Sequence, residues 1–269
     1  MAAYEFGFLG VGNMGGALAQ AAVKALPGTK IAVSSRTAEK AEAFARHLGC
    51  TALDNRTLAA QSRFLFLGVK PQGMPGVLAE IAPILARRRD GFCLVSMAAG
   101  LTLDRLGTLA GGNYPMIRMM PNTPVGVGAG MILYTANDLV TEETLRDFLA
   151  GMSCAGSFDC LPEGLMDAGS AVSGCGPAFA CLFLEALADG GVACGLPRAK
   201  AQAYAAQTLL GTARMVLSSG EHPGALKDAV CSPGGSTIQG VRVLEERGIR
   251  AAAMDAVIAA FDKTKALGK

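Results

Sequence analysis

Apolar and polar positions fall into two textures along the chain. In the first, short apolar runs alternate with helix-like segments. Tyr4–Gly10 reads as a strand, then a helix runs from about Asn13 to Ala25. Ile31–Ser34 reads as a second strand and Thr37–Leu48 as a second helix. Phe64–Val69 and Phe92–Ser96 are continuous apolar runs of the kind shown by parallel strands buried on both faces. Met116–Met119 and Met131–Tyr134 predict further strands, and Thr141–Met152 a helix. Strand alternating with helix predicts an α/β class, a doubly wound sheet with right-handed crossovers. From about Pro162 the texture changes to helices separated by Gly, Pro and Ser. These are Ala178–Ala188, Arg198–Leu217, Pro223–Val230, Thr237–Glu246 and Ile249–Leu267, with no strand signal and no repeat. Pro197 suits the entry to the second of them, since the first turn of a helix tolerates proline. The expected division is 1–161 for the α/β domain and 162–269 for an all-helical one.

A length of 269 residues allows one large domain or two smaller ones. Half the residues are apolar, Trp is absent, and much of the apolar share is Ala, which favours close-packed helices. Net charge is +2, and no basic block or acidic tail makes a case for nucleic acid or an anionic membrane. The densest basic run, Arg87-Arg88-Arg89, is expected at a helix C-terminus as a solvated end. Eight Cys without a C-x-x-C pair, and only two His, lack zinc-type spacing, so no metal is expected. Free Cys in apolar stretches fits a reducing compartment. The chain begins with a strand rather than a leader-like run, and no stretch of about 18 apolar residues is apparent. The expectation is a soluble, cytoplasmic protein with neither a membrane nor a nucleic-acid partner.

The first candidate chemistry follows the first strand. Gly10-Val11-Gly12-Asn13-Met14-Gly15 is a G-x-G-x-x-G between a strand and a helix. Its glycines serve a tight turn, close backbone approach to a pyrophosphate, and helix–strand packing. The helix tip offers free N–H groups to phosphate. A lone motif of this type is weak in a chain with 35 Gly, but its strand–helix context predicts a Rossmann-type dinucleotide site. Where an NAD site carries Asp or Glu, this chain reads Ser34-Ser35-Arg36-Thr37. Hydroxyls and a guanidinium suit a 2′-phosphate, so NADPH is expected, with NADH as the lesser alternative. Thr37 also suits a helix cap. Val69, Lys70 and Pro71 end another strand, where ligands of open α/β sheets gather. The small side chains of Ala98-Ala99-Gly100 leave room for a flat ring. Asp54 reads as a helix cap, with Asn55 beside the adenosine.

Substrate chemistry is constrained by what is missing. An alcohol dehydrogenase needs a base, and His47 and His222 both read as surface residues. A cyclic imine can arrive protonated, so that hydride transfer needs mainly positioning and electrostatics. Two loops in the helical half stand out: Ser173-Gly174-Cys175-Gly176-Pro177-Ala178 and Ser232-Pro233-Gly234-Gly235-Ser236-Thr237. The second presents N–H groups and hydroxyls at a helix start, a natural carboxylate cradle. It reads equally well as an interhelical turn with Ser236 or Thr237 as N-cap.

A family resemblance separates these readings. Gly7 to Gly16 resembles the N-terminal signature of pyrroline-5-carboxylate reductases. Val69-Lys70-Pro71-Gln72, Ser96 to Gly100, Arg118-Met119-Met120-Pro121-Asn122-Thr123-Pro124, the Ser173 loop, Asp189 to Val192 and Gly195 to Arg198 are similar to that family's blocks in order. Leu226 to Thr237 resembles its C-terminal signature, which ordinary dinucleotide enzymes lack. The resemblance implies reduction of 1-pyrroline-5-carboxylate to L-proline, the last step of proline biosynthesis. It implies Thr237 and Ser236 as catalytic residues, Thr237 near the ring nitrogen. It implies Glu163, Ser173, Gly234, Gly235, Ser236 and Thr237 at the substrate. It implies Val11, Asn13, Met14, Ser35, Arg36, Asn55, Val69, Lys70 and Ala98 at the cofactor, beside the motif glycines and Pro71. It further implies a homodimer through the helical domains, often with five dimers in a ring, and with the helical half of one chain closing the other's cleft. Cys175 stands where the family usually has Ser, and a thiol is the poorer hydrogen-bond partner. Two rivals share the architecture. A β-hydroxyacid dehydrogenase would need a Lys base, yet no Lys lies between Pro162 and Arg198. A non-catalytic NADPH-binding regulator could dispense with the Ser236-Thr237 loop, which is intact here.

Overall fold

The computed structural model describes residues 2–267. Eight strands form one sheet in the order β3-β2-β1-β4-β5-β6-β7-β8. They are β1 (Tyr4–Leu9), β2 (Ile31–Ser34), β3 (Thr51–Ala52), β4 (Ser62–Leu67), β5 (Cys93–Ser96), β6 (Met116–Met120), β7 (Gly130–Ala136) and β8 (Gly156–Cys160). The first six are parallel, β7 runs antiparallel to β6, and β8 is parallel to β7. Between the strands lie α1 (Asn13–Ala25), α2 (Ala38–Leu48), α3 (Asn55–Gln61), α4 (Met74–Leu85), α5 (Leu103–Ala110) and α6 (Glu142–Gly151). The strand order reverses between β1 and β4, and ligands of such sheets bind in the crevice beyond the carboxyl ends there.

Both faces of the sheet are covered, which is why its central strands carry continuous apolar runs such as Phe64–Leu67. One core gathers Phe6, Phe8, Phe64, Phe66 and Phe148, with Phe8 stacked on Phe66 at 4.3 Å between ring centres. The other packs Leu65, Leu67, Leu78 and Ile81 on the opposite face. Asp54 caps α3 as expected, accepting from the N–H groups of Arg56 and Thr57 at 2.9 Å each. Its carboxyl titrates below the usual range because the Thr57 hydroxyl and these amides hold the anion.

Arg88 corrects the solvated-end reading of the basic run. It lies beyond α4, yet its side chain is only 5% exposed. It donates to the carbonyls of Ala59 and Ser62 at 2.6 and 2.7 Å, pairs with Asp90, and lies over Phe92. Those carbonyls stand at the end of α3 and the start of β4, where backbone acceptors need partners.

The chain divides into two compact units, 1–175 with 260–269, and 176–259. The first unit therefore runs past the change in texture at Pro162, because α7 (Met166–Ser173) packs on β7. The second unit holds α8 (Gly176–Ala193), α9 (Arg198–Ser219), α10 (Pro223–Ala229), α11 (Ser236–Glu246) and the start of α12 (Ile249–Leu267). Its buried side chains are Ala188, Ala201 and Ala205, where α8 meets α9. Leu182, Tyr204, Leu210, Met215 and Leu217 are exposed. One expectation fails in sequence terms: Glu163–Ala193 is long and apolar enough, by length and composition, to cross a membrane. In this chain it is two helices joined at Gly174-Cys175.

Candidate active site

The β1–α1 turn is shaped by contacts that only glycine permits. Gly10 has φ +101°, and a Cβ there would lie 2.8 Å from the Gly68 carbonyl oxygen. A Cβ on Gly15 would lie 2.2 Å from the Gly10 carbonyl oxygen, so α1 sits directly on the turn. Gly12, by contrast, faces open space. It occupies the N-cap of α1 without a side-chain cap, and the first turn carries no acid. The N–H groups and positive end of the helix are thus presented to an anion.

Around this tip lies a cleft of about 660 Å³. Gly10, Val11, Gly12, Ser35, Arg36, Asn55, Val69 and Lys70 line it together. Asn13 and Met14 open α1, and Pro71 begins the single turn that leads into α4. Ala98 is buried just beyond β5, its N–H held by the Ser96 hydroxyl at 3.3 Å. A neighbouring cavity of about 470 Å³ shares Ser35, Arg36 and Asn55. Thr37 takes the N-cap position of α2 but makes no side-chain cap, which leaves its hydroxyl free at the cleft.

Two charged residues in this cleft escape sequence reasoning. Lys40, on the first turn of α2, adds a cation one helical turn after Arg36. Glu80 comes from α4 and brings a carboxylate to a place that appears free of one in the sequence. It is engaged: Ser34 Oγ donates to Asn55 Oδ1 at 2.8 Å, and Asn55 Nδ2 donates to Glu80 Oε2 at 2.9 Å. Asn55 is therefore fixed in one orientation.

The proposed substrate residues lie in separate stretches. Glu163 begins a single helical turn before α7. Its Oε1 accepts from the Leu103 N–H at 2.7 Å and from Arg118 Nη1 at 3.3 Å. Arg118 is 2% exposed and donates through Nη2 to Asp167 Oδ1 at 2.8 Å, while its Nε has no partner. Leaving a buried donor unmet costs about 1–3 kcal/mol. Nothing in the apolar β6 pattern marks Arg118 as the largest fully buried side chain. The Ser173 hydroxyl donates back to Gly169 O at 3.0 Å, and its carbonyl accepts from Asn122 Nδ2 at 2.9 Å. The stretch expected as a loop before Ala178 is a two-residue link, because α8 already begins at Gly176.

In the helical unit, Gly234 turns at φ +69° and Gly235 N–H closes onto Ser232 O at 3.0 Å. Gly235 is the N-cap of α11, with no side-chain cap and no acid in the first turn. Neither Ser236 nor Thr237 caps the helix, so the plain-cap reading is excluded. Both hydroxyls are exposed beside open N–H groups. The chemistry offered is carboxylate binding at a helix tip with hydroxyls alongside.

Residues 163–267 match the family model described as pyrroline-5-carboxylate reductase dimerisation. Residues 5–100 match that of coenzyme F420-dependent NADP oxidoreductases. The chain is 44% identical to a pyrroline-5-carboxylate reductase of Escherichia coli, over 98% of both chains. It superposes with TM-score 0.89 and 32% identity on Plasmodium falciparum pyrroline carboxylate reductase with NADP bound, over 100% of both chains. The enzyme of Streptococcus pyogenes gives TM-score 0.87 at 33% identity, covering 97% of this chain and 98% of that one.

Proposed function

Because the chain belongs to the pyrroline-5-carboxylate reductase family, we propose that it reduces 1-pyrroline-5-carboxylate to L-proline with NADPH, through the residues described above. The observation that carries the reading is the two helix tips that combine an extended glycine N-cap with no side-chain cap and no acid in the first turn, at Gly12 and at Gly235. A dinucleotide phosphate and a small carboxylate are the two anions this reaction brings together.

The dinucleotide, when bound, supplies a hydride. The glycine turn fits it, since Gly12 leaves room that a side chain would fill. Backbone N–H groups of α1 take the pyrophosphate, and Arg36 with Ser35 and Thr37 takes the 2′-phosphate. The α11 tip holds the substrate carboxylate. Thr237 hydrogen-bonds at the ring nitrogen, and Ser236 assists it. As hydride adds to the imine carbon, the C=N electrons move to nitrogen, which keeps the proton it arrived with. No base is then needed, which fits a chain whose only histidines are His47 on α2 and His222, the N-cap of α10. The exposed leucines of the helical unit support a homodimer, for which an interface core of apolar side chains is typical. Assembly into a ring of dimers and a cytoplasmic setting extend the same reading.

The test is NADPH oxidation with pyrroline-5-carboxylate against a no-substrate blank, with NADP+ reduction by hydroxyacids measured alongside. Thr237→Ala should lower kcat by roughly 10²-fold or more while NADPH binding, followed by fluorescence, is unchanged. Reduction of NADP+ by a hydroxyacid, with no NADPH oxidation by pyrroline-5-carboxylate, would favour the β-hydroxyacid reading.

A further inference from the structure

The cleft at the glycine turn gathers cations around a single acid. Arg36, Lys40 and Lys70 line it, and Glu80 is the one carboxylate among its lining residues. Glu80 also lines the neighbouring cavity of about 470 Å³, where Glu42 and Asp54 join it. Those two are engaged elsewhere, Glu42 with Arg46 and Asp54 as the cap of α3. Glu80 pairs with no cation among the described residues. Its bond to Asn55 has a direction fixed by chemistry. A carboxylate only accepts, so Asn55 Nδ2 must face Glu80 Oε2, at 2.9 Å. Asn55 Oδ1 is then turned to Ser34 Oγ, which donates at 2.8 Å. Ser34 is buried and is the last residue of β2. A chain of bonds thus runs from the end of β2 to a carboxylate whose Oε1 has no partner among the described residues. Ordering an exposed glutamate costs side-chain entropy, and α4 gains no ion pair from it.

An acid at the end of the second strand is what an NAD site uses to hold the adenosine ribose hydroxyls. In this chain α4 supplies the acid, by way of Asn55. We propose that Glu80 is a specificity-determining residue of the cofactor cleft. It accepts from the ribose 2′-hydroxyl of NADH and opposes the 2′-phosphate of NADPH. Arg36 and Lys40 pull the other way, so the cleft admits both cofactors and prefers NADPH by less than its cations alone would set. Every residue in the argument lies in the sheet-bearing unit. The role rests on the cofactor reading given above. A glutamate that merely orders Asn55 would affect both cofactors alike.

The experiment is calorimetric titration of wild type, Glu80→Gln and Glu80→Ala with NADP+ and NAD+, and with the fragments adenosine 2′,5′-bisphosphate and AMP. Gln keeps one oxygen for Asn55 and exchanges the charged second oxygen for a neutral N–H donor. Glu80→Gln should bind NADP+ more tightly and NAD+ more weakly, so that the ratio of their Kd values widens roughly fivefold or more. The two fragments should diverge in the same direction, which places the effect at the 2′ position. Glu80→Ala should widen the ratio as well, whatever a loosened Asn55 costs both ligands. A Glu80→Gln ratio within about twofold of wild type overturns the proposal. Equal weakening of NADP+ and NAD+ overturns it too, and leaves Glu80 as a support for Asn55. Wild type that binds neither dinucleotide overturns the cofactor site, and this role with it. Wild type that binds NADP+ but leaves pyrroline-5-carboxylate unreduced overturns the reaction and not this role, which the binding ratios decide.

Discussion

On the function proposed above, cofactor choice falls to single side chains. Arg36 is exposed at the mouth of the cleft, and Lys40 follows one turn later. Arg36→Ala should raise KM for NADPH by roughly 10-fold or more and leave that for NADH within about twofold; an equal rise for both cofactors would remove its role at the 2′-phosphate. The expectation of NADPH is legible in Ser35-Arg36-Thr37, since residue type alone tells phosphate from hydroxyl recognition. Glu80 is not legible, because it comes from a helix whose bounds and buried face local pattern leaves open. Arg118 is not legible either, because burial depends on what packs over β6. Cys93 gives a second residue-scale prediction. Burial pushes its thiol up to about 12 from an ordinary 9.0. The unfolded chain loses this proton first, so the folded state binds more protons above pH 9.0 and stability falls as pH rises toward 12. The slope approaches about 1.4 kcal/mol per pH unit. Cys93→Val should flatten the alkaline limb of the melting curve; an unaltered limb would show that another group governs it.

Elements succeed or fail in sequence according to punctuation. The β1–α1–β2–α2 run is read correctly because each piece is bounded by turn residues and has one period. α4 is expected only by its end before Arg87 and is given no start, because Pro75, Gly76 and Pro83 interrupt its pattern, although Pro near the first turn is tolerated and Pro83 stands near its end. β8 is missed because Gly156-Ser157-Phe158-Asp159-Cys160 lacks an apolar run; it is a half-exposed edge strand paired only with β7. The antiparallel turn of β7 is set by long-range pairing with β6, which local pattern does not encode. The glycine turn gives the element-scale prediction. Gly15→Ala would drive a Cβ into the Gly10 backbone, where no side chain can yield. The expected cost is about 1–3 kcal/mol in stability, with NADPH affinity down by at least roughly tenfold. Normal affinity in a titration would mean that α1 can lift off the turn.

At the scale of the molecule, the two units differ in how they are held together. The sheet-bearing unit has two cores of large side chains, rich in Phe on one face and Leu on the other. Residues 176–259 bury only Ala188, Ala201 and Ala205, while Leu182, Leu210 and Leu217 lie open. The alanine-rich composition foretells close helices, while the grouping of α7 with the sheet-bearing unit up to Cys175 is a matter of contacts that texture does not show. Three methyl groups seal very little surface from water. With the homodimer proposed above, the consequence is a heat resistance that depends on how much protein is in the tube. Melting temperature should climb several degrees over a hundredfold rise in protein concentration, as it does when subunits fold and associate in one step. A transition that stays put on dilution would mean that each chain keeps its helices together unaided.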